Sequence, residues 1–228
     1  MANYKHGVYA SEQPTTMSAP VAGTAGLQVV IGTAPVNMLK DPASAVNAPK
    51  LVTTYAEAVA AMGYSPDFKN FTICESISAS FQVMGVAPMV LINVLDPAKH
   101  KKALAATEVQ INSGVAVLEA QGVLLDGLVV KAGETALEAG TDYTTAWNSD
   151  GTLNIVVIPG GAAAKATALT VSGNQLDPSM VTDSEIVGSV DVNTGKETGM
   201  EVLRQVYPLL SMIPGLVIAP RFSKHPTV

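Results

Sequence analysis

The chain offers few side chains that could perform chemistry, and they lie far apart. Its three histidines are His6, His100 and His225, and none has a second candidate ligand at the spacing of a metal site. Cys74 is the single cysteine, which excludes an internal disulfide and a cysteine-based metal cluster. We therefore predict that the histidines are solvated or cap backbone groups, and that Cys74 is a buried structural thiol.

Two glycine-containing segments superficially suggest binding or catalysis. Residues 188–197 contain glycines that are too widely spaced for a phosphate-binding loop, and Glu197 stands where such a loop needs a Ser or Thr for Mg²⁺. Gly160 and Gly161 follow the best strand candidate, but Ala162 comes next where a hydrolase elbow would need a serine. The first segment is therefore not predicted to be a phosphate-binding loop, and a turn after the strand explains Gly160 and Gly161.

Acidic side chains are close together in two places, at Asp177 and in the pair Asp183 and Glu185. Paired acids also begin helices and turns, and no apolar pocket is predicted around these. We therefore predict that the protein is not an enzyme, with no catalytic residue, no metal and no cofactor.

The composition favours a protein that contacts copies of itself or other proteins. Of its 228 residues, 48% are hydrophobic and only 14% are charged, against about a quarter charged in typical domains. The net charge of −6 is spread without basic patches, which argues against nucleic acid and membrane surfaces as partners. No apolar run approaches a membrane span of about 20 residues, and no signal peptide is evident, so we expect a cytosolic product or one assembled there.

The first hundred residues carry the pattern of an α/β layer. Residues 27–34 and 87–96 are apolar, β-branched runs typical of strands covered on both faces. Between them, residues 54–63 predict a helix that starts at a Thr and stops at a Gly. Residues 72–85 predict a second helix, with Thr72 and Glu75 at capping-box spacing.

From about residue 101 to residue 190 the pattern changes to short β segments. Residues 141–147 and 152–158 flank an Asp150-Gly151 turn and predict a hairpin. Residues 166–173 alternate in the same way and should pair nearby. These segments indicate a small sheet-rich domain inserted into the α/β layer.

The last part of the chain returns to the first pattern. Residues 194–212 have helical periodicity with Pro208 as a kink or stop, and residues 215–220 predict a strand. We therefore predict an α+β or α/β fold: an incomplete α/β layer with an inserted β-rich, barrel- or sandwich-like domain and an extended N-terminal arm. The predicted domains are an arm at 1–25, an α/β core at 26–100 and 192–228, and the β-rich insertion at 101–191.

Several of these segments together resemble contractile phage tail sheath proteins. Residues 140–144, 150–160 and 177–188 are similar to the middle of that family, as are residues 198–203 and 206–220 with Phe222-Ser and Pro226 after them. The opening residues 4–9 resemble the family's start. The resemblance therefore extends over nearly the whole chain.

The resemblance implies a structural subunit of a contractile tail. Such subunits form a homo-oligomer, stack helically around a tail tube, and contract to drive the tube through a target envelope, with baseplate or terminator proteins as further partners. It also implies a location in the virion tail, assembled in the bacterial host cytoplasm. The family's arms add strands to neighbouring subunits, which implies an inter-subunit strand here at Tyr4, Lys5, His6, Gly7, Val8 and Tyr9.

The family pattern is not followed at the end of the chain. Members usually continue well beyond the position of Pro220, through a region that completes the α/β domain and contacts the tube, so we expect that region to be missing here. Arg221 also replaces an expected glycine.

Two other functions are compatible with the patterns. A sheet-rich, surface-exposed binding module without a contractile role would present an exposed aromatic patch around Tyr143 and Trp147. An α/β enzyme would have its site at the carboxyl ends of the strands, near Thr33, Asp96 and Pro220.

Overall fold

The computed structural model describes residues 26–228, which form two β-sheets with four short α-helices. The strands are β1 (Gln28–Gly32), β2 (Lys50–Val52), β3 (Met89–Asn93), β4 (Lys101–Asn112), β5 (Val115–Leu118), β6 (Val123–Ala132), β7 (Thr135–Ala136), β8 (Tyr143–Trp147), β9 (Leu153–Val157), β10 (Ala168–Leu176) and β11 (Leu216–Ile218). The helices are α1 (Tyr55–Met62), α2 (Thr72–Ile77), α3 (Asp183–Val187) and α4 (Leu203–Leu210).

The first sheet has four strands in the order β11-β1-β3-β2. β1 pairs in parallel with both β11 and β3, whereas β2 is antiparallel to β3. β1 and β3 are apolar throughout most of their length and are buried because helices and turns cover the sheet. The strands that the sequence predicted at residues 27–34, 87–96 and 215–220 are therefore confirmed.

Helix α1 is bounded as the sequence predicted. The Thr54 hydroxyl accepts a hydrogen bond from the Glu57 backbone N–H at 3.2 Å, which caps the first turn. Gly63 ends the helix with φ of 74°, a conformation that glycine adopts without strain.

Helix α2 differs from the prediction at its start. Phe71 is the N-cap residue, and Thr72 lies inside the helix, so the predicted Thr72–Glu75 capping box is wrong. The Thr72 hydroxyl instead accepts a hydrogen bond from the backbone N–H of Thr33, at 3.2 Å, and ties the helix to the end of β1. Ser78–Met84 continue the helix with π geometry.

The second sheet has seven strands in the order β7-β6-β10-β4-β5-β9-β8, and it curls into a half-barrel. The predicted hairpin is confirmed as β8 and β9, whose connection contains Asp150 and Gly151. This sheet has its own apolar core, formed by Leu104, Val109, Ala116, Leu118, Val123, Val130, Tyr143, Leu153, Ile155, Ala163, Leu169 and Val171.

The chain enters the second sheet after β3 and returns to the first sheet with β11, so the β-rich part is an insertion. The predicted fold class, α+β or α/β with a β-rich, barrel- or sandwich-like part, is confirmed, and that part is a half-barrel. The predicted N-terminal arm lies outside the described residues. Of the predicted helix at 194–212, only Gly199–Leu210 is helical, as a 3-10 turn followed by α4. Helix α3 lies within residues 101–191, which were predicted as the β-rich insertion. Its residue Ile186 nevertheless packs in the core of the first sheet.

Candidate functional site

His100 is a buried titratable residue beside a cleft, and it lies between β3 and β4, directly before Lys101. Its side chain is only 6% exposed. The Nδ1 atom accepts the backbone N–H of Asp96 at 2.9 Å, so the ring proton lies on Nε2 and is donated to Glu185 Oε1, also 2.9 Å away. The prediction that the histidines cap backbone groups is therefore confirmed for His100, whereas its burial and its bond to a carboxylate 85 residues away were not predicted.

Glu185 holds this contact together with the first turn of α3. Its Oε2 accepts the backbone N–H of Thr182 at 2.9 Å, which completes a capping box. Partial burial raises the pKa of Glu185, but the hydrogen bonds from Thr182 and His100 outweigh that effect and lower the pKa overall. The carboxylate is therefore a structural hydrogen-bond acceptor with both oxygens in use.

The cleft beside His100 has a volume of about 450 Å³ and is lined by Asn47, Val94, Asp96, Lys99, His100, Ser184, Glu185, Gly188, Ser189 and Thr198. Both His100 nitrogens and both Glu185 oxygens are already engaged, and the Ser184 hydroxyl is 2.9 Å from that of Thr182. A general base needs a free acceptor within reach of its substrate. This arrangement therefore supports a structural role.

The residues that an enzyme would use do not converge. Thr33 lines a cleft of about 220 Å³ beside Phe222, whereas Asp96 lines the His100 cleft. The Thr33 hydroxyl donates to the carbonyl of Asn70 at 2.7 Å. Asp96 also lines a cleft of about 600 Å³ together with Asn37 and Leu39, which follow β1, but Thr33 is not part of its lining. Thr33 and Asp96 therefore line different clefts.

The other candidate chemical groups are also occupied. Cys74 is buried, and desolvation raises the pKa of its thiol to about 12, so the prediction of a structural thiol is confirmed. His225 Nδ1 is 2.7 Å from Asp183 Oδ1. Across the described part of the chain, no group of three or more His, Cys, Asp or Glu side chains is placed to hold a metal ion. His6 lies outside the described residues.

The segment that resembles a phosphate loop is a tight turn. Asp191 Oδ1 accepts the backbone N–H groups of Asn193 and Thr194 at 2.8 and 3.2 Å, and these bonds lower the pKa of Asp191. Those N–H groups are the donors that a phosphate would need, and a carboxylate already holds them.

The aromatic residues of the second sheet do not form an exposed patch. Tyr143 is 4% exposed and lies in the core of the half-barrel, and Trp147 packs against that core. The feature that would favour a binding module is therefore absent from residues 26–228.

Exposed apolar side chains occur instead on α4 and on β11, which follow one another in the chain. On α4, Tyr207 and Leu209 are 62% and 63% exposed, and on the neighbouring edge strand β11, Leu216 is 52% exposed. Single exposed apolar residues are normal on a surface, and several of them on consecutive elements are candidates for contact with another chain segment. We call these three residues and Val217 the α4–β11 surface. The sequence analysis did not identify this surface, because the apolar strand and helix patterns that contain these residues predict burial.

The candidate inter-subunit strand, Tyr4, Lys5, His6, Gly7, Val8 and Tyr9, lies outside the described residues. It therefore stays a prediction.

Helices long and apolar enough to cross a bilayer do not occur in the described residues.

Comparison with known proteins identifies a phage tail sheath protein as a relative of this chain. No family model matches the chain, and no solved structure is significantly similar. The chain is 30% identical over 233 aligned positions to a tail sheath protein of Burkholderia phage BcepMu, and the alignment covers all of this chain and 45% of that relative. The chain thus spans less than half the length of this relative. Over its whole length, then, this chain is homologous to a phage tail sheath protein, which confirms the family resemblance found in the sequence.

Proposed function

We propose that this chain is a structural subunit of a contractile tail sheath, which assembles helically with copies of itself around a tail tube and contracts to drive the tube through a target envelope. The observation that carries the proposal is the similarity to a tail sheath protein over the full chain. The protein acts in the virion tail after assembly in the host cytoplasm, with no cofactor and no catalytic step.

The α4–β11 surface supports this role. β11 is an edge of the first sheet, so one side of the strand has no neighbouring strand among residues 26–228. Open strand edges pair readily with further strands. The exposed Leu216 lies on that strand, and the exposed Tyr207 and Leu209 on the preceding helix are further candidates for contact with the added chain.

We propose that residues 4–9 supply such a strand to a neighbouring subunit. Tyr4, Val8 and Tyr9 are strand-forming residues, and strand addition would connect subunits through backbone hydrogen bonds. Those bonds are independent of side-chain fit, so they can persist while subunits slide during contraction.

The proposed division of labour follows the predicted domains. Residues 1–25 act as the connecting arm, residues 26–100 and 192–228 as the α/β core, and residues 101–191 as the β-rich insertion. The tail tube and the baseplate or terminator proteins are the proposed further partners.

The arm proposal is tested with Val8→Pro and its matched control Val8→Thr. Proline removes a backbone donor that a paired strand needs, whereas threonine keeps that donor and the β-branched shape. We expect sedimentation velocity to show large assemblies for wild type and Val8→Thr, and a shift to small species for Val8→Pro. Equal assembly of the two variants would contradict strand donation by residues 4–9.

A further inference from the structure

The sequence contains two Asp-Gly pairs, Asp126-Gly127 and Asp150-Gly151, and the structure places them in different surroundings. Such a pair can react with itself, because glycine has no side chain to shield the backbone nitrogen that follows the aspartate. That nitrogen can attack Cγ of the aspartate, and the ring that forms is a succinimide. Which of the two pairs reacts then depends on the fold around each.

The Asp150-Gly151 pair is held in the β8–β9 connection. One carboxylate oxygen of Asp150 accepts the Thr152 hydroxyl at 2.7 Å and the Thr152 backbone N–H at 3.0 Å. The N–H of Gly151 donates to the carbonyl of Asn148, also at 3.0 Å, and Gly151 is buried. The bonds from Thr152 lower the pKa of Asp150, so its carboxylate is less readily protonated for the loss of water. Both reacting groups of this pair are therefore engaged elsewhere.

The Asp126-Gly127 pair lies in an irregular part of β6. Strand β10 pairs with β6 at Leu124 and next at Val129, so residues 125–128 have no partner on β10. The other neighbour, β7, pairs with β6 only further along, at residues 131–132. Residues 125–128 thus form a wide bulge that neither neighbouring strand holds in register.

The reacting groups of this second pair are open to solvent. Asp126 and Gly127 are both exposed, and within residues 26–228 the Asp126 carboxylate has no hydrogen-bond or ion-pair partner. A Cβ added at Gly127 would meet only the side-chain amide of Asn174, at 3.7 Å, so no side chain crowds this peptide. The carboxylate can therefore turn toward the glycine nitrogen, and water can reach the ring that results.

We propose that Asp126-Gly127 is a site of spontaneous isoaspartate formation, and that the bonds from Thr152 protect Asp150-Gly151 from the same reaction. The Gly127 nitrogen forms a bond to Cγ of Asp126, and the hydroxyl of the protonated carboxyl leaves with the nitrogen's proton as water. Water then adds to either carbonyl of the succinimide. One product is aspartate again, and the other is isoaspartate, which adds one backbone atom to the bulge of β6. The proposal goes beyond the sheath role and does not depend on assembly.

The test is incubation of the full-length chain at neutral pH in water enriched in heavy oxygen, followed by peptide mapping in ordinary water. Each passage through the ring leaves a heavy oxygen at the reacted residue, and fragment spectra locate it. We expect at least about tenfold more label at Asp126 than at Asp150, a ratio that corresponds to about 1.4 kcal/mol of protection. The same incubation in urea removes the fold, and there the labelling of the two sites should be similar.

Two variants test the assignment at each site. Thr152→Val removes the hydroxyl that holds Asp150, so it should raise the labelling of Asp150 and leave that of Asp126 unchanged. Asp126→Glu should abolish labelling at its own position, because the longer side chain would have to close a larger ring. Equal labelling of Asp126 and Asp150 in the native chain overturns the proposal, and so does unchanged labelling of Asp150 in Thr152→Val.

Discussion

Removing the Glu185 carboxylate should destabilise the fold far more than removing an ordinary surface acid. Glu185→Ala breaks the capping box of α3, which costs about 1 kcal/mol. It also leaves the Nε2–H of the buried His100 without an acceptor, which costs about 1–3 kcal/mol. We therefore expect the free energy of unfolding to fall by about 2–4 kcal/mol.

The assay is equilibrium unfolding in urea, with circular dichroism as the readout. The matched control is Glu201→Ala, because Glu201 pairs at 2.7 Å with Arg204, whose side chain is 66% exposed. An exposed pair of this kind contributes less than about 1 kcal/mol. If Glu185→Ala and Glu201→Ala cost the same, the structural role assigned to the His100–Glu185 contact is refuted.

The same contact predicts a direction for the pH dependence. The folded-state pKa of Glu185 is lowered relative to its ordinary value of 4.5, so its stabilising contribution is present above that value and is lost as the pH falls through the folded-state pKa. Wild type and Glu185→Ala should therefore differ most near neutral pH and converge in acid. A difference that stays constant down to about pH 3 would contradict this assignment.

Three further predictions concern the packing of the fold. Ile73→Ala, at a fully buried position of α2, should lower the free energy of unfolding by about 2–5 kcal/mol, whereas Val192→Ala should change it by less than about 0.5 kcal/mol; urea unfolding of both variants checks this. The Cys74 thiol, with its pKa of about 12, should react with a thiol reagent at pH 8 only when denaturant opens the core, and rapid reaction of the native chain would show that Cys74 is not buried. Gly188→Ala should destabilise by about 2 kcal/mol or more, because φ at Gly188 is 76° and a Cβ there would meet the carbonyl oxygen of Thr198; an unchanged thermal midpoint would contradict that close approach.

The elements that the sequence predicted correctly are those with strong local chemistry. Thr54 and Gly63 mark the two ends of α1, because the capping bond of Thr54 and the positive φ of Gly63 involve only residues nearby in the chain. The β8–β9 hairpin was equally local, since Asp150 and Gly151 form its turn. Unbroken apolar runs predicted β1 and β3, because a strand that is covered on both faces is apolar at nearly every position.

The errors came from contacts between distant parts of the chain. Thr72 has the right spacing for a capping box, but its hydroxyl bonds to Thr33, 39 residues away, and Phe71 begins the helix instead. Spacing in the sequence likewise gave no signal for the His100–Glu185 contact, which joins α3 to the segment between β3 and β4 across 85 residues of chain. The strand β2 was missed because three residues are too few for a period to appear.

The function was predicted from resemblance, since a fold of this kind hosts many activities. The His100 cleft shows why geometry was needed as well. A histidine and a carboxylate beside a cleft would suggest an active site. Both ring nitrogens of His100 and both carboxylate oxygens of Glu185 are, however, already hydrogen-bonded within the fold. The exposed side chains of the α4–β11 surface do not line this cleft, and we expect them to contact another chain segment.

Electron microscopy of the purified chain at high concentration tests the central claim most directly. The proposed sheath role predicts helical tubes or stacked rings built from copies of the chain. Assemblies should diminish when Val8→Pro replaces wild type and persist with Val8→Thr, which ties the particles to strand donation by residues 4–9. Uniform particles of single-chain size at every concentration would contradict the claim that this chain carries the contacts for sheath assembly.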